Sequence, residues 1–177
     1  MAEERLLSRL PRFPVPAERP AAGDAPQPNR YRLRVDGLVR TPLTLSLDHL
    51  LGLPAAEFTA DFACAEGWRV PGLRWTGVRL ADVLRQGGPL PEARFVAVGA
   101  GEFVSLLPLA QIDGEGPLLA YGLDGEPLSP EHGGPLRLVA PWTACYQSVK
   151  WVDRLELVAD ERPETAKPIA LARIATR

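Results

Sequence analysis

Two cysteines and two histidines in 177 residues leave little room for most of the chemistry those residues usually signal. Cys64 and Cys145 stand far apart in the chain, so they make no disulfide framework. Two buried or ligand thiols are the preferred reading, with a single structural bridge as the alternative. No C-x-x-C pair is present, which leaves a protein-only zinc cage poorly supplied. Basic excess is also missing: 20 Lys and Arg face 22 Asp and Glu, a net charge of -2, which argues against a nucleic-acid surface. No apolar run reaches the ~18 residues needed to cross a bilayer as a helix. The start, Met1-Ala2-Glu3-Glu4-Arg5, has neither an apolar export core nor twin arginines, so the expected location is cytoplasmic. No internal repeat is evident.

What is present suits one soluble domain. The hydrophobic fraction is 46%, enough for a real core at this length. Residues 1–29 carry Pro11, Pro14, Pro16, Pro20, Pro26 and Pro28, and proline fixes φ and removes donors, so an irregular arm is expected. Phe13 and Val15 give that arm something to bury, which favours a partly docked strap. A domain spans residues 30–160. Tyr31, Leu33 and Val35 alternate with Arg32, Arg34 and Asp36, a strand with one wet face. Ser46 is placed to cap a short helix from Leu47 to Leu51. Thr59 to Cys64 reads as a strand ending at a Glu66-Gly67 loop. Leu80, Val83 and Leu84 share a helical face that Gly87-Gly88 terminates. Arg94 to Val98 and Phe103 to Leu107 read as a hairpin around Gly99-Ala100-Gly101. Leu118 to Leu123 leads into the turn Asp124-Gly125, and Leu136 to Ala140 is an apolar strand. Trp151, Asp153, Leu155 and Leu157 open the last strand, expected to end near Ala159. Residues 161–177 form a charged, proline-bearing tail. The sum is an α+β fold, a single mixed and strand-rich domain.

Chemistry concentrates in four segments. They are Cys64-Ala65-Glu66-Gly67-Trp68-Arg69, Trp75-Thr76-Gly77-Val78, His132-Gly133-Gly134-Pro135-Leu136-Arg137 and Ser148-Val149-Lys150-Trp151. A lone soft thiolate, an imidazole and two cations beside glycines suit a metal carried on an anionic organic cofactor. Taken singly, each has a plainer reading. A lone cysteine is usually a small buried hydrophobe, and Cys145 is left in that class. His49, in a helix, reads as a surface residue. The four tryptophans read as core or pocket wall. Tyr121 reads as an ordinary strand tyrosine.

In this order and spacing, the segments resemble the molybdopterin-binding domain of the sulfite oxidase family, which includes the methionine-sulfoxide reductase catalytic subunits. The likeness runs from about Tyr31 to Val158 and takes in the stretch from Leu119-Ala120-Tyr121 to Lys150-Trp151. The resemblance implies a mixed α+β domain holding one molybdopterin with its molybdenum. It implies Cys64 as the metal's thiolate ligand, and His132 and Arg137 at the pterin and its phosphate. It implies Ser148, Val149 and Lys150 in the loop that holds the cofactor. Arg69 falls where sulfite oxidases carry a substrate-binding cation, and a surface arginine is the equal alternative.

The donor types agree with that implication. Thiolate suits an oxo-bearing metal already held by dithiolene sulfur. The cofactor phosphate is a dianion, which Arg grips bidentately and Lys meets as a point charge. Gly133, Gly134 and Pro135 would shape a tight turn that brings backbone to the ligand. The expected function is oxygen-atom transfer on a small, possibly sulfur-containing substrate, with an unidentified electron-transfer partner. The alternative is a cofactor-binding module that needs a partner to complete its active site.

Overall fold

The computed structural model describes residues 5–12, 30–140 and 142–175. Phe13 and Val15, expected to dock the arm, lie outside them. Among the described residues, eleven strands form two mixed sheets, with three α-helices packed around them. Among the described residues, no helix is long and apolar enough to cross a membrane.

The first sheet carries the chemistry-bearing segments. Its spine runs β1 (Arg5–Leu6), β5 (Trp68–Arg79), β8 (Leu118–Leu123) and β10 (Arg137–Val139). β4 (Ala55–Cys64) pairs with β5, and β9 (Glu126–Pro127) pairs with β8. The second sheet is ordered β3 (Leu43–Ser46), β2 (Arg32–Gly37), β11 (Arg154–Val158), β6 (Phe95–Ala100) and β7 (Phe103–Pro108). Leu33, Val35, Val96, Val98, Leu155 and Leu157 are fully or almost fully buried from its strands. They meet α1 (Leu47–Leu51) and α2 (Leu80–Gly87) through Leu50, Leu80, Val83 and Leu84 in the main core. A second core lies on the first sheet, where Leu10, Trp68, Val70, Leu73, Trp75 and Val139 pack together.

Local chemistry sets several boundaries. Ser46 Oγ accepts the His49 N–H at 3.1 Å and caps α1. Gly88 closes α2 in the left-handed conformation, φ 64°. Asp124 and Gly125 both have positive φ, 54° and 89°, which suits the tight β8–β9 turn.

Three elements differ from the sequence expectation. β5 is a twelve-residue strand that was not anticipated as a unit, because Pro71-Gly72 breaks its alternation. The ladder with β4 shifts register between Ala60 and Phe62, and Asp61 Oδ1 accepts the Gly72 N–H at 2.9 Å there. β11 begins at Arg154, not Trp151. Trp151 has φ 56°; its backbone N–H donates to Gly133 O at 3.0 Å and its indole N–H to Pro130 O at 2.7 Å. The chain after residue 160, read only as a charged tail, forms α3 (Ala166–Ala175). Thr165 anchors it: Val104 N–H donates to Thr165 Oγ1 at 2.8 Å, and Ala166 is fully buried.

Candidate cofactor site

Cys64 is the last residue of β4 and lies opposite Trp68 across a tight turn, where Gly67 N–H donates to Cys64 O at 3.0 Å. Gly67 has φ 81°, and nothing would obstruct a side chain there, so conformation rather than space favours glycine. On the same hairpin, Phe62 stacks on Trp68 with ring centroids 5.9 Å apart.

Arg137 comes up beside this hairpin from β10. Its side chain is almost wholly buried, with the guanidinium 4.9 Å from the Phe62 ring centre and 5.2 Å from the Trp75 ring. One Nη donates to His132 O at 3.0 Å, while Nε has no hydrogen-bond partner among the described residues. Burial pulls the guanidinium down to about 10, opposed by the neighbouring Cys145 and Cys64, so it stays charged at neutral pH. A buried, permanent cation with an unmet donor is costly unless something anionic faces it.

The residue that sequence reasoning missed is Cys145. It begins a 3₁₀ turn, residues 145–147, in the loop that leads to Ser148. Its sulfur lies 3.7 Å from the Cys64 sulfur and accepts the Ala65 N–H at 3.2 Å. The contact shifts the two thiols in opposite directions. Cys145 is brought down to about 6 by its contact with Cys64, aided by the Ala65 and Tyr146 N–H groups and by Arg137. Cys64 is pushed up by the same contact and by burial. The sequence signal was thin: one small thiol, three residues before Ser148, with no partner nearby in the chain.

Two expected segments are stitched together. His132 ends a 3₁₀ turn, residues 130–132, and Lys150 Nζ donates to Glu131 O at 2.8 Å. A Cβ on Gly133 would stand 2.8 Å from Lys150 Cγ, and one on Gly134 would stand 1.9 Å from Leu128 O. These glycines therefore let the turn pack closely on Lys150 and on the Leu128 carbonyl. Gly77 acts likewise, since its Cβ would meet Leu119 O at 2.3 Å.

His132 reaches the arm. Its Nε2 lies 3.1 Å from Leu10 O, and a carbonyl only accepts, so that nitrogen carries the proton. Burial pushes the imidazole below its usual value, with the Leu10 carbonyl opposing. Ser148 and Val149 are buried, and Val149 O accepts the Leu138 N–H at 2.8 Å, which ties this loop to β10.

Arg69 is not brought to the thiols. It alternates with Trp68 along β5 and pairs with Ala63, so it lies on the opposite face of the hairpin from Cys64. There it meets Asp61 at 2.6 Å, both side chains being well exposed. The Gly72 N–H and then Arg69 hold the Asp61 carboxyl below its usual range. Trp68 and Trp75 are core, as expected, whereas Trp142 is 51% exposed beside the Cys145 turn.

Residues 21–166 match the family model of the oxidoreductase molybdopterin binding domain. The chain belongs to that family. It is 37% identical over 145 residues to the uncharacterized oxidoreductase YuiH of Bacillus subtilis, covering 80% of this chain and 73% of that one. It is 35% identical over 158 residues to the protein-methionine-sulfoxide reductase catalytic subunit MsrP of Xanthomonas campestris, covering 77% of this chain and 47% of MsrP. It is 31% identical over 166 residues to the mitochondrial sulfite oxidase of Drosophila melanogaster, covering 78% of this chain and 29% of that one. Among solved structures, the sulfane dehydrogenase SoxCD of Paracoccus pantotrophus matches with a TM-score of 0.70 and 27% identity, over 77% of this chain and 41% of that one.

Family membership makes molybdopterin, the organic carrier of molybdenum, the cofactor of this chain. The residues fit such a group. Arg137 offers a buried cation with an open N–H, and two soft sulfurs stand beside it.

Proposed function

We propose that this oxidoreductase domain moves an oxygen atom between water and a small sulfur-bearing substrate, while two electrons pass between that substrate and a separate electron-transfer partner. When bound, molybdopterin with its molybdenum supplies that redox chemistry. The chain's own residues bind, orient and shield it. Cys64 would provide the thiolate ligand, and metal binding would favour its ionised form against the contact with Cys145 and the burial that push it up. Arg137 would meet the anionic part of the cofactor through its open Nε. His132 acts mainly through its carbonyl, which fixes one Nη of Arg137. Lys150 lies within reach of the same region and would exchange the Glu131 carbonyl for phosphate oxygen. Ser148 and Val149 hold the loop against β10.

The observation that carries this reading is the unmatched Nε of buried Arg137, set beside the sulfur pair. A cation so placed makes sense as half of an ion pair whose other half arrives with the cofactor. The family's named relatives act on sulfur compounds, methionine sulfoxide and sulfite among them, which supports a sulfur-bearing substrate.

A second reading keeps the cofactor and gives up independent turnover. It is favoured by coverage: the match spans 47% of the Xanthomonas reductase and 29% of the Drosophila oxidase, so their substrate sites need not lie within it. The loaded chain, assayed alone with an artificial electron donor or acceptor against sulfoxides and sulfite, separates the two. Turnover supports the enzyme. Full cofactor loading without turnover supports the module.

A further inference from the structure

We propose that Cys64 and Cys145 are a redox pair: in the cofactor-free chain they close to an intramolecular disulfide, which takes the Cys64 sulfur away from the metal. The part of this that concerns the metal rests on the reading of Cys64 given above. The disulfide itself does not.

The fold brings the two sulfurs into direct contact. Their sulfurs are 3.7 Å apart, and a disulfide needs roughly 2.05 Å, so they must approach by roughly 1.7 Å. A change of rotamer about a Cα–Cβ bond moves a sulfur on that scale. Both side chains are partly exposed, so a small oxidant can reach them. The two cysteines sit on segments with separate anchors. Cys64 is fixed by the β4–β5 ladder, and Cys145 by the 3₁₀ turn beside α3. The Ala65 N–H holds the Cys145 sulfur close to the hairpin tip. No third protein ligand stands with them: among the described residues, no group of three His, Cys, Asp or Glu is placed to hold a metal ion. A protein-only metal site therefore does not account for the pair.

The reaction balances with a low-molecular-weight disulfide such as oxidised glutathione. One cysteine thiolate attacks it, forming a mixed disulfide and releasing one glutathione thiolate. The second cysteine thiolate then attacks the protein sulfur of that mixed disulfide and expels the other. Two electrons pass from the cysteines to glutathione, and the two cysteine protons end on two glutathione thiols. While the bond lasts, Cys64 has no thiolate to give a metal. Reduction restores it, so loading with cofactor becomes conditional on a reducing environment.

The test uses the full chain, prepared without cofactor. Incubation with oxidised glutathione should take it from two free thiols to none and give a monomer lighter by two hydrogens with no glutathione attached. A crosslinked peptide pair should contain Cys64 and Cys145, and dithiothreitol should reverse the change. Cys145→Ser should instead retain a glutathione adduct on Cys64. Stable double adducts on the wild-type chain, or two thiols that persist under the same oxidant, would overturn the pair. The reduced and oxidised forms are then each offered molybdopterin. Uptake by the reduced form alone, and by Cys145→Ser pre-treated with oxidant and then briefly reduced, supports gating. Equal uptake by both forms overturns gating. If neither form takes up cofactor while the crosslink still forms, the cofactor role of Cys64 fails and the redox pair stands.

Discussion

Arg137 is held by two aromatic faces and one backbone carbonyl, with its remaining Nε unmatched among the described residues. Such a cation burdens the empty fold and is relieved by an anion. Arg137→Met keeps the volume and removes the charge. It should raise the urea midpoint of the cofactor-free chain, by about 1–3 kcal/mol in stability, and abolish retention of molybdopterin. Lower stability in the variant would mean that the aromatic contacts outweigh desolvation. The thiols give a second prediction at this scale. Thiolate absorbance of the cofactor-free chain should disappear in two steps on acidification, with the last thiolate lost near pH 6. In Cys145→Ala, the contact that pushes Cys64 up is gone, so Cys64 should ionise at lower pH than in the wild type. Residues differ in how plainly the sequence announced them. Cys64 and Arg137 stand out in the sequence because their neighbours form recognisable segments. Cys145 does not, because its partner is distant in the chain and only the fold closes that gap. Arg69 was ambiguous for a physical reason: a spacing of five says nothing of face until the strand's alternation is known.

At the scale of elements, the turn of residues 130–135 and the loop of residues 148–151 behave as one clasp. Gly134→Ala drives a Cβ into the Leu128 carbonyl and should destabilise by at least about 2 kcal/mol. Gly67→Ala meets open space and should lose only about 1 kcal/mol, from its positive φ. Denaturant midpoints of the two variants, compared side by side, check the contrast. The arm is joined to this clasp through His132 and Leu10. The folded imidazole titrates below 6.5, so as pH falls the unfolded chain takes that proton first. Stability contributed by neutral His132 is complete above about pH 6.5 and is lost progressively below it. Melting curves between about pH 5 and 7 should show the wild type losing stability on acidification more steeply than His132→Gln. Equal slopes would mean that burial does not hold the His132 imidazole neutral. Strands and helices with clean periodicity were readable in advance, α2 above all. β5 was not, because its bulge with β4 switches which residues face inward. β11 was misplaced by three residues because Trp151 answers to hydrogen bonds from the clasp, which no local pattern reveals.

For the whole molecule, two sheets and their cores present one hairpin tip, one buried cation and one clasped loop at a common place. The fold class was legible because strand signals dominate the chain and repeat at short intervals. The cofactor was legible only through the order of several segments, since no single one specifies it. Substrate lay beyond reach, because the residues that would select it are not marked by any spacing. A cofactor that binds only the folded chain must also stabilise it. Loaded protein should therefore melt higher than the cofactor-free chain, and that gain should vanish in Arg137→Met. The most direct test of the central claim is the content of molybdenum and pterin per chain. It is read by elemental analysis and by pterin fluorescence after oxidation, on protein from a cofactor-competent host, with Cys64→Ser alongside. Near-stoichiometric molybdenum and pterin in the wild type, with a changed metal absorption spectrum in Cys64→Ser, is the predicted result. Folded wild-type protein that carries neither would contradict it.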